Sequence, residues 1–387
     1  MKLLVVAFAS SIHTARYLQL LVGSGWEVHL YDSRGGAVPH PELPPVTLHT
    51  ASDAPAPPGV RVVDASAGGR SFAGRVAHLA DLIDDLAPDV VHSHEIQQGG
   101  ALVDGARRVR PELRAVPWLV TNWGSDILWW GRIPTTVPRI RSVVSGCDYY
   151  GAECHRDVAL ARAFGFRGRV VGVWPVAGGM DLEQARALRS VGPPSARRTL
   201  AVKGAVNHVG RGNVAFAAVR RCADLLRGWD VATYQLDPAL GQEVDAMARQ
   251  HGFVHRRLSD THASHSPHEE LLRMHGRARV SLGLNVTDAL STSFLEALAM
   301  GSFPVQSSSS CGHELTPPGR GALFVPAEDE DAVARALRRA LTDDALVDDA
   351  IAVNDRVADE HLDRHRVRVR VLDAYERILM DRDGDNL

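Results

Sequence analysis

Short apolar runs alternate along this chain with longer stretches whose apolar residues recur at helical spacing, and polar turns separate the two. Residues 2–8 (KLLVVAF) form the first run, SSIHTARYLQLL reads as loop and helix, and residues 25–32 (GWEVHLYD) read as a second strand. Residues 88–95 (PDVVHSHE) predict a later strand with a polar end, and residues 118–120 another, leading into TNWGSD at 121–126. Strands that alternate with helices, and are apolar on both faces, define an α/β class with mainly parallel sheets. Residues 38–59, rich in proline and alanine, read as a surface excursion.

The pattern breaks at GGM, just after residues 170–175. A helical DLEQARALRS follows, and VGPPSA supplies a proline-rich connector. This divides the chain into a first domain at 1–176, a linker at 177–196 and a second domain at 197–362, followed by a closing helical segment at 363–387. Residues 345–380 are periodic throughout, and the final DRDGDNL reads as a frayed tail.

Within the second domain, an apolar run at 200–202 leads through Lys203 into a turn-rich loop at 204–212, with a helix starting near Asn213. Of 43 basic residues, only Lys2 and Lys203 are lysines. A compact ammonium at a strand end, glycines that let backbone approach a ligand and a helix N-terminus beyond form an arrangement that binds phosphate. The bland alternative is a lysine that survived by chance. The glycine spacing fits neither the nucleotide-triphosphate loop nor the dinucleotide fingerprint.

A second stretch, NVTDALSTSFLE at 285–296, lies between a strand at 280–286 and a helix at 294–300. Ser291, Thr292 and Ser293 fall at the helix mouth, where hydroxyls and unpaired amides donate to anions. Ser293 followed by Glu296 also fits a capping box, which needs no ligand. Gly301 ends the helix, Pro304-Val305 starts a strand, and residues 307–310 make a second hydroxyl-rich loop.

Asp288, seven intervening residues, Glu296 and the following ALAMGSFPV together resemble the signature of family 4 of the retaining GT-B glycosyltransferases. TNWGSD resembles that family's T-x-H-G-S-D loop, and the similarity runs over nearly the whole length. Two positions depart from the pattern: Asp288 stands in place of glutamate, and Trp123 in place of histidine. The resemblance implies two Rossmann-like domains facing a cleft, with the last helix crossing back to the first. It implies that Lys203 and Arg211 hold the donor diphosphate, Asp288 the donor sugar and Glu296 the ribose. Gly204, Asn285, Ser291, Thr292 and Ser293 complete the donor side. His13, His94, Glu95, Asn122 and Asp126 follow predicted strands of the first domain and are the candidates for positioning the acceptor. His94 or Asn122 would take over the sugar contact that Trp123 cannot make.

The implied activity is transfer of a sugar from a nucleotide-diphosphate sugar to a hydroxyl acceptor with retention of configuration. Neither cofactor nor metal is expected, because protein cations stabilise the departing diphosphate. The acceptor is a small molecule, a glycan or a lipid-linked group. A nucleotide-sugar epimerase or hydrolase of the same fold, or a non-catalytic nucleotide-sugar-binding protein, stays open as an alternative.

Composition narrows the remainder. A length of 387 residues with 45% hydrophobic content supports two or three ordinary domains. A net charge of −3 gives no reason to invoke nucleic acid. Arginine clusters at 107–114 and 364–370 read as solvated helix faces, with membrane-surface contact left open for the former. Cys147, Cys154, Cys222 and Cys311 lack metal-ligand spacing, so reduced thiols in a cytoplasmic setting are expected. No signal peptide or membrane span is evident. Several of the 18 histidines lie between His255 and His275 and read as surface residues. The richness in arginine and alanine points to a GC-rich bacterial genome. Nothing in the sequence sets the oligomeric state.

Overall fold

The computed structural model describes residues 1–69, 71–259 and 268–384. These fall into two compact units: 1–179 together with the chain from Arg364 onward, and Met180–Asp363.

The first unit is built on eight parallel strands, β1 (Lys2–Ala7), β2 (Glu27–Asp32), β3 (Thr47–Thr50), β4 (Arg61–Asp64), β5 (Val90–His94), β6 (Trp118–Thr121), β7 (Tyr149–Ala152) and β8 (Arg169–Val173). Their order is β4-β3-β2-β1-β5-β6-β7-β8. Because side chains alternate across a strand, β1 feeds both faces. Leu4 and Val6 join the layer under the helices Phe72–Leu86 and Ala101–Val109. Leu3 and Val5 pack with Tyr17 and Leu18 of Ile12–Gln19 and with Val367, Val371 and Ile378 of the closing helix Arg364–Gly384.

The second unit has six parallel strands, β9 (Thr199–Lys203), β10 (Asp230–Tyr234), β11 (Val254–Arg257), β12 (Val280–Gly283), β13 (Phe303–Ser307) and β14 (Leu323–Val325), in the order β11-β10-β9-β12-β13-β14. One core layer joins Leu200, Val202, Leu282 and Val305 of the sheet to Phe216 and Val219 of helix Gly212–Arg221 and Val333 and Leu337 of helix Glu330–Thr342.

Four expectations change. Residues 38–59 are not all excursion, since β3 lies within them, paired with β2 and β4, and buries Leu48. The apolar run 280–286 ends as ladder at Gly283. Beyond it, Asn285 bridges to Gly210, and the Val286 N–H donates to Val209 O at 3.0 Å. The long helical segment is interrupted. Helix Asp344–Val357 passes into a π-turn at Ala358–Leu362 and restarts at Arg364, and the Met180 N–H donates to Leu362 O at 2.6 Å at the break. The closing helix continues through residue 384, so residues 381–384 are helix and not the expected tail; residues 385–387 lie outside the described residues. Among the described residues, no helix is long and apolar enough to cross a membrane.

Candidate functional site

In an open parallel sheet, ligands bind at the carboxyl ends of strands where the strand order reverses. In the second unit that point lies between β9 and β12. Lys203 is the last residue of β9, half-buried, and among the described residues its ammonium makes no ion pair. Lys2, by contrast, is spent on structure, its Nζ donating to Leu86 O at 2.8 Å at the end of helix Phe72–Leu86.

The loop after Lys203 folds tightly back on itself. A Cβ on Gly212 would overlap Gly204 O, and one on Gly204 would lie 2.6 Å from Leu236 Cδ1. The Gly212 N–H donates to Ala205 O at 2.8 Å, and Asn207 Oδ1 accepts from the amides of Val209 and Gly210, both at 2.8 Å. Arg211 sits at the N-cap of helix Gly212–Arg221, but its guanidinium turns onto its own loop. It bonds Asn207 O and Gly210 O at 3.1 Å each, and Glu328 Oε1 at 2.9 Å. Glu328 is mostly exposed, so this pair is screened and easily exchanged for another anion.

Beside this loop stands the start of helix Thr292–Ala299. Its N-cap is Ser291, whose side chain caps no amide. The Ser291 Oγ instead meets Ser293 Oγ at 2.9 Å, and the buried Tyr234 hydroxyl hydrogen-bonds Ser293. The capping-box alternative therefore fails: Ser293 lies inside the helix, and Glu296 points elsewhere. The Ser293 hydroxyl is spent inside the core, which leaves the Thr292 hydroxyl and the first helical amides as the donors of this turn. Asn285 is buried, and its amide accepts order from neighbours: its N–H donates to Ser307 Oγ at 3.0 Å, and Ser309 Oγ donates to its carbonyl at 2.6 Å. Asp288 is half-buried in the turn between β12 and the helix.

Glu296 is almost fully buried and faces two histidines of helix His268–Arg277. His268 Nε2 lies 2.9 Å from its Oε1, and His275 Nε2 lies 4.0 Å from its Oε2. The expectation of surface histidines in this stretch is thus corrected at His275, which is wholly buried, while His262 and His265 lie outside the described residues.

In the first unit, the order reverses between β1 and β5. Phe8, His13, Arg34, Glu95 and Trp123 cluster at this end. Trp123 meets Phe8 and His13 edge-on at centroid distances of 5.5 and 5.6 Å, and the Arg34 guanidinium lies 4.2 Å from the Phe8 ring centroid. Sequence reasoning missed Arg34, because one arginine after a strand carries no motif.

The other acceptor candidates are more internal than expected. Glu95 has φ of 64° and accepts the amides of Gln97, Gln98 and Gly99. Burial pushes its carboxyl up to about 7 despite those amides and Arg34. Asp126 accepts from Ile96 N–H at 2.7 Å and Trp123 N–H at 3.0 Å. Burial, with Glu95 and Asp157 nearby, holds its carboxyl well above the usual range. These two carboxylates pin the loops after β5 and β6.

Two candidates do not fit a ligand contact. Asn122 is wholly buried, donating to Asp157 Oδ2 at 2.7 Å and accepting from the Tyr150 hydroxyl at 2.9 Å. His94 is also wholly buried, packed against Tyr17 and His92 at centroid distances of 4.3 and 4.4 Å. Burial lowers its pKa to about 3.

Comparison with known proteins agrees with this architecture. Residues 2–135 match a family model described as glycosyl transferase 4-like, and residues 235–370 match one described as glycosyl transferase-like. Among solved structures, sucrose-phosphate synthase from Thermosynechococcus elongatus is similar at 14% identity with a TM-score of 0.71, over 98% of this chain and 100% of that one. Anabaena HepE in complex with UDP and glucose is similar at 11% identity with a TM-score of 0.68, over 97% and 99%. A glycosyltransferase from Rickettsia africae is similar at 11% identity with a TM-score of 0.65, over 98% of each chain. No curated protein matches. Two Rossmann-like units with these models on each define a GT-B protein. The chain belongs to the GT-B glycosyltransferases of group 1.

Proposed function

We propose that this glycosyltransferase moves a sugar from a nucleotide-diphosphate sugar to a hydroxyl acceptor with retention of configuration, and that no metal bridges the diphosphate. The observation that carries this reading is the Lys203 ammonium, without an ion pair among the described residues, at the strand-order reversal beside the uncapped start of helix Thr292–Ala299. As the sugar departs, negative charge grows on the diphosphate, and fixed cations and amides aimed there lower the barrier. Lys203 supplies the point charge, Arg211 joins by releasing the exposed Glu328, and the first amides of the helix complete the cradle. Asp288 takes the donor sugar's hydroxyls and Glu296 the ribose. The anomeric carbon's bond to the diphosphate oxygen breaks, and the acceptor oxygen bonds that carbon on the same face. The acceptor proton passes to the leaving phosphate oxygen. The protein orients and supplies no nucleophile.

Anabaena HepE, a structural neighbour, was solved with UDP and glucose, which supports a nucleotide-sugar donor here. The test is turnover with a panel of UDP-, GDP-, TDP- and ADP-sugars, first ranked by thermal stabilisation. Transfer requires that donor be consumed only when acceptor is present. Donor consumed or epimerised alone, or bound without turnover, refutes the reading.

A further inference from the structure

The histidine facing Glu296 belongs to an internal chain of hydroxyls whose direction can be worked out. His275 Nδ1 lies 2.8 Å from Ser281 Oγ, and Ser281 Oγ lies 2.7 Å from Ser302 Oγ. All three residues are buried. A neutral imidazole carries one N–H, and its partners fix which nitrogen holds it. With the proton on Nδ1, the Nε2 lone pair would face the Glu296 carboxylate across 4.0 Å of buried space, a repulsive arrangement. With the proton on Nε2, both hydroxyls have an acceptor and the ring's positive edge faces the carboxylate. Ser302 O–H donates to Ser281, Ser281 O–H donates to Nδ1, and the protonated Nε2 lies 4.0 Å from Glu296 Oε2, an electrostatic contact longer than a hydrogen bond. Burial keeps the ring neutral, with a pKa lowered to about 4, and the carboxylate only partly offsets that effect.

Among the described residues Nε2 has no hydrogen-bond partner. The ring is held edge-on to Tyr234 at a centroid distance of 5.4 Å. Glu296 sits on helix Thr292–Ala299, while His275 sits on helix His268–Arg277. The Ser302–Ser281–His275 chain therefore gives the carboxylate a fixed dipole on the oxygen opposite the one that meets His268.

We propose that His275 is a positioning residue for the donor site: its Nε2–H orients the Glu296 carboxylate so that the other oxygen is presented to the ribose hydroxyls of the nucleotide. This rests on the ribose role given to Glu296 above. His268, half-exposed and bonded to that presented oxygen, occupies the place the ribose takes when the nucleotide enters.

The full chain is titrated calorimetrically with UDP, ADP and GDP and with their 2′-deoxy and 3′-deoxy counterparts. The wild type is compared with His275→Gln, whose amide nitrogen reaches the Nε2 position, and His275→Asn, whose amide nitrogen reaches only Nδ1. The wild type prefers the ribonucleotide by about tenfold or more, as expected for a hydrogen bond to a charged group. His275→Gln keeps the preference, and in His275→Asn it falls to within about threefold. The proposal is overturned if a folded His275→Asn keeps the full preference. Equal weakening of ribo- and deoxyribonucleotides, or equal loss in both variants with a lowered melting temperature, overturns it as well, since packing alone explains either result. A wild type that binds no diphosphate refutes the donor reading itself. One that binds without ribose preference refutes the role of Glu296 and this proposal with it.

Discussion

Replacing Lys203 with alanine separates a binding role from a structural one, because the structure gives the two roles different magnitudes. The ammonium is half-buried and makes no ion pair among the described residues, so its loss in the ligand-free protein removes no bond among them. The strand survives, since Leu200, Ala201 and Val202 supply its core contacts and are fully buried. The unbound variant should thus melt within about 2–4 °C of the wild type, the shift that about 1 kcal/mol produces in a unit of this size. Binding is another matter. A hydrogen bond to a charged partner contributes about 1.5–3 kcal/mol, so the dissociation constant for a nucleoside diphosphate should rise about tenfold to a hundredfold. Calorimetric titration and thermal melting on the same preparation give both numbers. Lys203→Arg should recover only part of the affinity, because a guanidinium is larger and planar. The reasoning is refuted if Lys203→Ala binds the diphosphate as the wild type does, or if it melts far lower without ligand.

Gly212→Ala places a methyl against Gly204 O and Ala205 O in a turn with no side chain to yield, so it should cost about 1–3 kcal/mol by denaturant titration and weaken donor binding. Tyr375→Phe removes the hydroxyl that lies 2.6 Å from buried His92 Nδ1, and it should destabilise the first unit by about 1–3 kcal/mol in the same assay. His94 titrates near 3 when folded and near 6.5 when unfolded, so below about pH 6.5 the unfolded chain takes a proton that the folded ring refuses. Stability from this group is therefore lost as pH falls from about 6.5 toward about 3, at about 1.4 kcal/mol per unit. His94→Gln should flatten the slope. Glu95, raised to about 7, pulls the other way as pH rises, and the difference between variant and wild type cancels it. Finally, transfer should persist at full rate after EDTA treatment and dialysis; a requirement for added divalent cation would remove the role given to Lys203 and Arg211 as replacements for a metal.

The central strands were legible because burial on both faces makes them unbroken apolar runs, as in Leu3–Ala7 and Leu200–Val202. Edge strand β4 and its neighbour β3 were not, since each has four residues, and Arg61 and Asp64 of β4 face water. The acidic pair Asp288 and Glu296 was visible through its resemblance to a family signature, yet its surroundings were not. His275 lies on a different helix from Glu296, joined to it only by the fold, and nothing in its local sequence sets it apart from the other histidines of that stretch. Ser293 misled for a related reason: the cap falls two residues earlier, at Ser291, and which serine starts the helix is decided by how the β12 turn docks. His94 and Asn122 looked accessible because each ends a strand, but their neighbours Tyr17, Tyr150 and Asp157 close over them.

The return of Arg364–Gly384 to the first unit sets the order in which a ribosome can complete this molecule. Tyr17, His92 and Thr121 emerge before the second unit, but the phenol that bridges His92 to Tyr17 arrives with Tyr375, after the whole of that unit has been made. The second unit is a continuous stretch, Met180–Asp363, and its strands can close as soon as they leave the exit tunnel. The first unit, begun before the second, is therefore finished after it. Until then its sheet carries an open apolar flank where Val367, Val371 and Ile378 will lie, and a message cut short before that helix yields a nascent chain whose older half cannot close.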